Sequence, residues 1–202
     1  MSIVLYWHPM SSATPIACAL TELGVPHERV KIDIRTGEQR RPEYLALNPN
    51  GKVPTLTVDG APMFEALAIH LWLGHRYGIE RGLWPAAGTP EALQALSWCT
   101  WSYVTYGALV GRLHVATQGE GVWRSTTQAE AVMHGLNELL ELLDARLATQ
   151  PWMLGANYSL VDLVVGSVLG YSVFLCAPVN AHPHVQAWLT RVQARPAMQI
   201  EA

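Results

Sequence analysis

Apolar and polar residues in the first third of the chain follow a pattern that predicts alternating strands and helices. The run from Ile3 to Trp7 is apolar and has the length of a buried strand, and Pro9 ends it. Between Ile16 and Leu23, apolar residues recur with the spacing of an amphipathic helix, which stops at Gly24. Apolar and polar residues then alternate from Val30 to Ile34, as in a second strand. Two strands around one helix form a βαβ unit.

The next segment predicts a β-hairpin followed by a helix. A third strand runs from Val53 to Val58, and the pair Asp59-Gly60 turns the chain into a fourth strand around Pro62–Phe64. A helix is predicted from about Glu65 to Tyr77. These elements complete a small α/β domain, which we assign to residues 1–77.

The rest of the chain predicts helices only. Residues 78–90 are rich in Gly, Pro and Ala, which is typical of a linker between domains. An apolar stripe indicates a helix from about 125 to 149, a capping box at Ser159–Asp162 starts another, and the last runs from about 184 to 194. The expected fold class is therefore α/β plus all-α, with an all-helical domain over residues 91–202.

The composition excludes several classes of protein. Of the 202 residues, 50% are hydrophobic and 14% are charged, with a formal net charge of −3, which excludes intrinsic disorder. Only two lysines are present, so no nucleic-acid partner is expected, because phosphate binding needs clustered Lys and Arg. The most apolar stretch, from Leu160 to Ala177, contains Asp162 and predicts a central helix of a soluble bundle, so no membrane partner is expected.

The three cysteines are Cys18, Cys99 and Cys176, and they form neither a CxxC pair nor a cluster with histidines. No metal site and no two-cysteine redox motif are therefore expected. Free thiols suit a reducing compartment, and the N-terminus lacks the basic region of a signal peptide. The sequence predicts a cytoplasmic location.

Two serines stand in the turn between the first strand and the first helix. Ser11 and Ser12 lie where the N–H groups of a helix start point outward, a place that stabilises an anion such as a thiolate. A purely structural role is the alternative, because serine is a common N-cap residue.

Two further turns carry candidate ligand contacts. The Val53–Pro54 bond is a candidate cis peptide at a strand start, and the backbone of Val53 beside it can pair with an extended, peptide-like ligand. Glu65 opens the following helix, where its carboxylate could hold a ligand ammonium group. The alternatives are an ordinary edge strand at Val53 and a solvated acid at Glu65.

Three segments together resemble the cytosolic glutathione transferases. They are NPNGKVPTL, the segment FEALAI after the hairpin, and the helix start YSLVDL. The resemblance implies a thioredoxin-like N-terminal domain followed by an all-helical C-terminal domain, with glutathione as co-substrate and no metal. Near the N-terminus, HPMSSAT and GEQRRPEYL resemble the serine-using phi-type and related bacterial members.

The resemblance implies that a hydroxyl group donates a hydrogen bond to the sulfur of glutathione and so favours its thiolate. Ser11 matches the catalytic serine of the serine-using members and ranks first. Ser12, one residue further on, ranks second. Tyr6 matches the catalytic tyrosine of the alpha and pi types and ranks third.

Contacts with glutathione also follow from the resemblance. The backbone of Val53, next to Pro54, would pair with the cysteinyl part. Glu65 would contact the γ-glutamyl end. The glycine carboxylate would lie near two residues of the GEQRRPEYL loop and one of the NPNGKVPTL loop: Gln39, Arg40 and Lys52.

The chain departs from the family pattern at two places. Ala66 stands where relatives usually have a serine, which removes a hydroxyl from the γ-glutamyl site. The first-helix arginine of relatives is also missing, since Thr14 is followed by Pro15 and Ile16. Losing such a polar contact costs about 1–3 kcal/mol when nothing replaces it.

The candidates for an apolar electrophile pocket are mostly aromatic. They are Trp7, Met10, Trp98, Trp101, Tyr103, Tyr106 and His114. Trp98 and Trp101 share one face of a helix through their i, i+3 spacing. Packing in the bundle or at a dimer contact is the alternative for the rings, and a surface position is the alternative for His114.

The leading hypothesis is a glutathione transferase that joins glutathione to a small apolar electrophile, in a detoxification role. One alternative keeps glutathione and changes the reaction to isomerisation, peroxide reduction or dehalogenation. The other is a non-catalytic binding or interaction protein with the transferase fold. The resemblance also implies a homodimer.

Overall fold

The polypeptide divides into two units between Trp84 and Pro85 in the computed structural model, which describes residues 1–199. Met1–Trp84 form the first unit together with the described residues from Arg195 on, and Pro85–Ala194 form the second. The first unit combines a sheet with helices and the second is helical, which confirms the predicted fold class.

A four-stranded mixed sheet forms the centre of the first unit. Its strands are β1 (Ile3–Trp7), β2 (Glu28–Lys31), β3 (Thr55–Val58) and β4 (Ala61–Phe64), arranged in the order β2-β1-β3-β4. β1 runs parallel to β2 and antiparallel to β3, which is antiparallel to β4. The parallel pair needs a crossover connection, and the helix after β1 supplies it.

Among residues 1–199, the α-helices of this unit are α1 (Thr14–Glu22), α2 (Pro42–Leu45) and α3 (Ala66–Leu73). The first of these forms where the sequence predicts it, but its middle is not amphipathic: the five consecutive residues Ile16–Leu20 are buried, so this part of α1 is covered on every side. The predicted helix from about Glu65 to Tyr77 is correct in place, but its last part is a π-helical turn, Gly74–Gly78.

The hairpin forms at the predicted residues and fixes the register of the sheet. Asp59 and Gly60 have φ values of 50° and 85°, the left-handed conformation that a two-residue type I′ turn requires. At the other end of the hairpin, Thr55 pairs with Tyr6 of β1 and with Phe64 of β4. The end of β1, the start of β3 and the end of β4 therefore lie at one edge of the sheet.

The second strand begins and ends earlier than its sequence pattern predicts, since it starts at Glu28 and not at Val30. Alternation continues to Ile34, but β2 ends at Lys31. The Ile32 N–H still bonds to the Trp7 carbonyl oxygen at 2.8 Å, and then the Asp33 carboxylate accepts the Arg35 N–H at 2.9 Å. This local side-chain contact turns the chain away from the sheet.

The second unit consists of helices α4 (Pro90–Thr100), α5 (Gly107–Gln118), α6 (Thr126–Thr149), α7 (Leu160–Phe174) and α8 (Pro183–Gln193). A π-helical turn, Trp101–Tyr106, joins α4 to α5. The predicted capping box is present, since the Asp162 carboxylate accepts the Ser159 N–H at 2.9 Å. The same buried carboxylate accepts the Met153 N–H at 2.7 Å and the Trp188 indole N–H at 2.8 Å.

The described C-terminal residues pack in the first unit, although the sequence assigns them to the second domain. Arg195 makes a two-pronged ion pair with Glu22 of α1, and its Nε lies 3.0 Å from Glu22 Oε2. The Glu22 side chain is only 8% exposed, so its charge needs a partner. The short turn Pro196–Met198 then packs against α1.

Gly74 is required where α3 passes into its π-helical turn. The indole of Trp84, which is 3% exposed, packs directly on this glycine. A Cβ at position 74 would lie 2.5 Å from Trp84 Cδ2, closer than any real contact of that kind. The glycine therefore makes room for the tryptophan that ends the first unit.

Gly74→Ala should lower the free energy of unfolding by about 1–3 kcal/mol, because the added methyl displaces the buried indole. Urea denaturation followed by tryptophan fluorescence measures it. Gly111→Ala is the matched control, since a Cβ in that interior position of α5 meets nothing within 4 Å. The control should be neutral or stabilising by up to about 1 kcal/mol, and equal losses in both variants would contradict this account of Gly74.

Candidate active site

The turn between β1 and α1 holds its two serine hydroxyls in different surroundings. The Ser11 hydroxyl donates to the His8 carbonyl oxygen at 2.6 Å and accepts the Ala13 N–H at 3.1 Å. These bonds lie inside the turn, and Ser11 is half-buried. Ser11 therefore ties the turn to the start of α1, close to the capping role given above as the alternative.

Ser12 is exposed and faces a different loop. Its hydroxyl donates to the Val53 carbonyl oxygen at 3.0 Å, across 41 residues of sequence. The Val53–Pro54 peptide is cis, as the sequence predicts. No partner is found for the Val53 N–H among residues 1–199, so this backbone edge is open to a ligand. Ser12 and Val53 thus form one polar surface.

The loop before Pro54 is held by buried polar side chains. Asn48, 2% exposed, donates its amide to the Lys52 carbonyl oxygen at 2.8 Å and accepts the Asn50 N–H at 3.0 Å. The Tyr44 hydroxyl donates to the same Lys52 carbonyl oxygen at 2.7 Å. Because the carbonyl before Val53 is anchored twice, the backbone that Val53 presents is fixed in place.

Gln39 and Arg40 lie against this loop. The Arg40 guanidinium donates to the Asn50 carbonyl oxygen at 3.3 Å, and Gly51 leaves room for it, since a Cβ there would lie 2.9 Å from Arg40 Nη1. The Gln39 amide donates to the Ile34 carbonyl oxygen at 3.2 Å. Lys52 is exposed. Two cationic side chains therefore flank the loop that ends at Val53.

Glu65 begins the third turn of the site. It is exposed, and its φ of 72° is in the left-handed region, which is uncommon for a residue with a side chain. Because Phe64 pairs with Thr55, Glu65 leaves the sheet at the same edge as Val53. Ala66 follows as the first residue of α3 and is buried. The geometry therefore brings the serine turn, Val53 and Glu65 to one edge.

The other two candidates of the first strand belong to the sheet. Tyr6 packs edge-on against the Tyr44 ring at 6.1 Å between ring centroids. Trp7 is 6% exposed, and the Arg29 guanidinium lies 5.1 Å over its ring. Met10, by contrast, is 87% exposed with a φ of 53°. Of the apolar candidates in this unit, Met10 is the one that faces solvent next to Ser11.

The remaining electrophile candidates lie in the helical unit and have four different environments. The rings of Trp98 and Trp101 have centroids 5.3 Å apart. They line an open cavity of about 500 Å³ with Ser97, Leu142 and Arg146. Tyr106 is fully buried and bonds to the Ser172 hydroxyl at 2.7 Å, and burial raises its pKa to about 12. Tyr103 is half-buried. His114 is exposed, and its Nδ1 lies 2.8 Å from the Tyr171 hydroxyl.

His70 is a buried polar residue near the site that the sequence reasoning missed. Its ring is 1% exposed, with Nδ1 2.9 Å from the Ala66 carbonyl oxygen and Nε2 3.3 Å from the Pro15 carbonyl oxygen. Burial lowers its pKa from 6.5 to about 4, and the two carbonyl contacts only partly oppose this shift. The polar residue in an otherwise apolar run, AIHLWL, is the signal that could have found it.

Residues 1–199 contain no group of three or more His, Cys, Asp or Glu side chains that could hold a metal ion. Each helix in that range is too short or too polar to cross a bilayer.

Comparison with known proteins identifies the family. Residues 10–76 match the glutathione S-transferase N-terminal domain, and residues 108–196 match the glutathione S-transferase C-terminal domain. Glutathione S-transferase 3 of Zea mays is 30% identical over 96% of this chain and 90% of its own length. The chain therefore belongs to the glutathione S-transferase family of enzymes, as its sequence motifs indicate.

Two other relatives bear on the reaction. The disulfide-bond oxidoreductase YfcG of Escherichia coli (strain K12) is 28% identical over 96% of this chain and 92% of its own length. The solved structure of glutathione S-transferase-I bound with lactoylglutathione is 29% identical, with a TM-score of 0.81, and covers 98% of this chain and 97% of that one. Both similarities cover residues of the first and of the second unit.

Asn48→Ala should lower the free energy of unfolding by about 1–3 kcal/mol, because the Lys52 carbonyl oxygen and the Asn50 N–H each lose a buried partner. Asn50→Ala is the control in the same loop, since Asn50 is exposed and makes its contacts through its backbone. The control should change stability by less than about 0.5 kcal/mol. Chemical denaturation of both variants checks this, and similar values for the two would count against the anchoring role of Asn48.

Lowering the pH should reduce the stability of the first unit, because the unfolded chain binds a proton at His70 more readily than the folded one. The folded-state pKa of His70, about 4, is below the ordinary 6.5, so the unfolded chain binds the extra proton first. Stability is therefore lost as the pH falls from about 6.5 towards 4. Between about pH 7.5 and pH 5, the wild type should lose about 2 kcal/mol more than His70→Gln, which has no group titrating there. Urea denaturation at both pH values tests this, and parallel pH profiles would refute it.

Proposed function

We propose that this protein is a glutathione transferase that joins the thiolate of glutathione to a small apolar electrophile. The contact of 3.0 Å between the Ser12 hydroxyl and the Val53 carbonyl oxygen carries the proposal. It combines a hydroxyl donor with an open backbone edge, and Glu65 lies at the same edge of the sheet. A γ-glutamyl peptide with a thiol needs these three kinds of group.

Each part of glutathione has a chemically matched group at this edge. The free N–H and the carbonyl of Val53 suit the backbone of the cysteinyl residue. The Glu65 carboxylate suits the γ-glutamyl ammonium group. Arg40 and Lys52, with Gln39 beside them, suit the glycine carboxylate because both cations flank the Val53 loop. The relative solved with lactoylglutathione supports a ligand of this class.

The geometry favours Ser12 over Ser11 as the group that stabilises the thiolate. The Ser12 hydroxyl is exposed, and its one O–H, which donates to the Val53 carbonyl oxygen in this structure, can turn to the cysteinyl sulfur when Val53 binds the ligand. The Ser11 hydroxyl is already committed to the His8 carbonyl oxygen and the Ala13 N–H. The start of α1 adds the positive end of the helix dipole to the Ser12 hydrogen bond. Tyr6 ranks below both serines.

In the proposed reaction, the thiolate attacks the electrophilic carbon, a carbon–sulfur bond forms and the leaving group departs with the electron pair. We assign an apolar electrophile because the candidates Met10, Trp98 and Trp101 are apolar and reach solvent. A homodimer and a cytoplasmic location accompany the proposal. The family resemblance supports the first, and three free cysteines support the second.

A second candidate is glutathione-dependent disulfide reduction, which the similarity to the oxidoreductase YfcG favours. Such a reaction would consume two glutathione molecules, release two thiols from the substrate and form glutathione disulfide. Cys18, the cysteine of the first helix, is poorly placed to take part, because it is buried and burial raises its pKa to about 11. Product analysis with an aryl halide and with a small disulfide separates the two candidates.

Ser12→Ala should lower kcat/KM for an aryl halide roughly 10- to 100-fold, because a hydrogen bond to a charged sulfur is lost. Its melting temperature should stay at the wild-type value, and the thiol of bound glutathione, followed by thiolate absorbance, should titrate at higher pH. Ser11→Ala is the matched control and should lower the melting temperature, because it opens the turn. The reverse outcome, with the activity loss confined to Ser11→Ala, would assign the role to Ser11.

Isothermal titration of the wild type with glutathione should give saturable heat. The absence of heat at about millimolar glutathione would contradict the proposal and favour a non-catalytic protein. Glu65→Gln should weaken this binding about tenfold, because the carboxylate no longer pairs with the ammonium group. Glu80→Gln, an exposed acid outside the site, should bind like the wild type. Equal affinity of Glu65→Gln and wild type would remove Glu65 from the site.

A further inference from the structure

His70 connects the two helices whose first turns form the candidate site. Pro15 is the second residue of α1, three residues after Ser12, and Ala66 is the first residue of α3, directly after Glu65. The imidazole lies between the carbonyl oxygens of these two residues, at 3.3 Å and 2.9 Å. The ring therefore spans from the serine turn to the Glu65 turn through protein that excludes water.

The two contacts of the His70 ring join different parts of the chain. The one from Nδ1 to Ala66 stays within α3, one helical turn away, and so adds nothing to the spacing of the helices. The one from Nε2 to Pro15 crosses 55 residues of sequence and joins α3 to α1. A neutral imidazole carries one N–H, so its tautomer decides which carbonyl receives the proton. Of these two contacts, the one from Nε2 is the one that joins the two helices.

The distance between α1 and α3 matters more in this chain because Ala66 carries no hydroxyl. A serine at position 66 could reach towards the γ-glutamyl group and tolerate small displacements of α3. With alanine, the first turn of α3 offers only its backbone N–H groups and the neighbouring Glu65, which are rigidly attached to the helix. The fit of a ligand that also contacts the Ser12–Val53 surface then depends on how α3 is held against α1.

We propose that His70 is a positioning residue for glutathione: by contacting Pro15 through Nε2, it sets the separation between the turn that holds the thiol and the turn that holds the γ-glutamyl end. This inference rests on the proposed function. His70 touches neither glutathione nor the electrophile, and acts through the helix starts of α1 and α3. Its removal should therefore weaken glutathione binding and leave the chemical step unchanged.

Two amide substitutions separate the two contacts. The Asn side chain places its NH₂ near the position of Nδ1, so His70→Asn keeps a donor for Ala66. The longer Gln side chain places its NH₂ near the position of Nε2, so His70→Gln keeps a donor for Pro15. Both variants replace a buried imidazole by a buried amide, so we expect them to lose similar amounts of folding stability.

Steady-state kinetics with glutathione and an aryl halide, together with calorimetric titration of glutathione, tests the proposal. His70→Asn should raise the Kd and the KM for glutathione roughly tenfold, with kcat and the KM for the aryl halide unchanged within about twofold. His70→Gln should stay within about threefold of wild type in every parameter. Gly74→Ala, which destabilises the same segment without contacting the site, should bind glutathione like the wild type.

Equal glutathione affinity in His70→Asn and His70→Gln would overturn the positioning role, whatever their melting temperatures. The positioning role would also be overturned if the loss of glutathione affinity followed the melting temperature across these two variants and Gly74→Ala. A purely structural role predicts that correlation. Failure of the proposed function has a different signature: the wild type itself would give no heat with glutathione. If His70→Asn does not fold, His70→Met, which has no N–H donor, takes its place against His70→Gln.

Discussion

The pairing of Thr55 with Tyr6 on one side and Phe64 on the other is the constraint on which the candidate site depends. Three separate turns leave the sheet at this row, and the strand pairing brings them to the same edge. A register slip of one residue would move each turn by about 3.3 Å and exchange the two faces of the strand. The Asp59-Gly60 turn at the far end of the hairpin therefore determines whether Val53 and Glu65 lie at the same edge.

Features that depend on neighbours in sequence could be predicted, and features that depend on distant residues could not. The hairpin turn and the Ser159–Asp162 capping box each need only two to four adjacent residues, so their signals are complete in one sequence. The ion pair of Arg195 with Glu22 spans 173 residues and places the described C-terminal turn in the first unit. Such a pairing leaves no trace in the local pattern of either segment.

The two serines show the same limit inside the site. Their residue type and position before α1 predict a hydroxyl near a helix start, and that much is correct. Which hydroxyl reaches the Val53 loop depends on the Val53 carbonyl oxygen, 41 residues beyond Ser12, and on the His8 carbonyl oxygen that accepts the Ser11 hydroxyl. Two adjacent and chemically identical residues thus acquire different environments, and only the folded loop separates them. The same holds for the aromatic candidates, of which Tyr106 is buried and Trp98 lines a cavity.

His70 and Ala66 are best understood together. A buried imidazole is a poor choice for stability alone, because an aliphatic side chain would fill the space between α1 and α3 without a polar group to satisfy. Burial keeps the ring neutral, with a pKa of about 4, so its single N–H donates to one of the two carbonyl oxygens and the ring brings no charge between α1 and α3. A ring that became charged there would make ligand binding depend on pH. In the proposed site, a ring that stays neutral keeps the same contact between the helix starts across the physiological range.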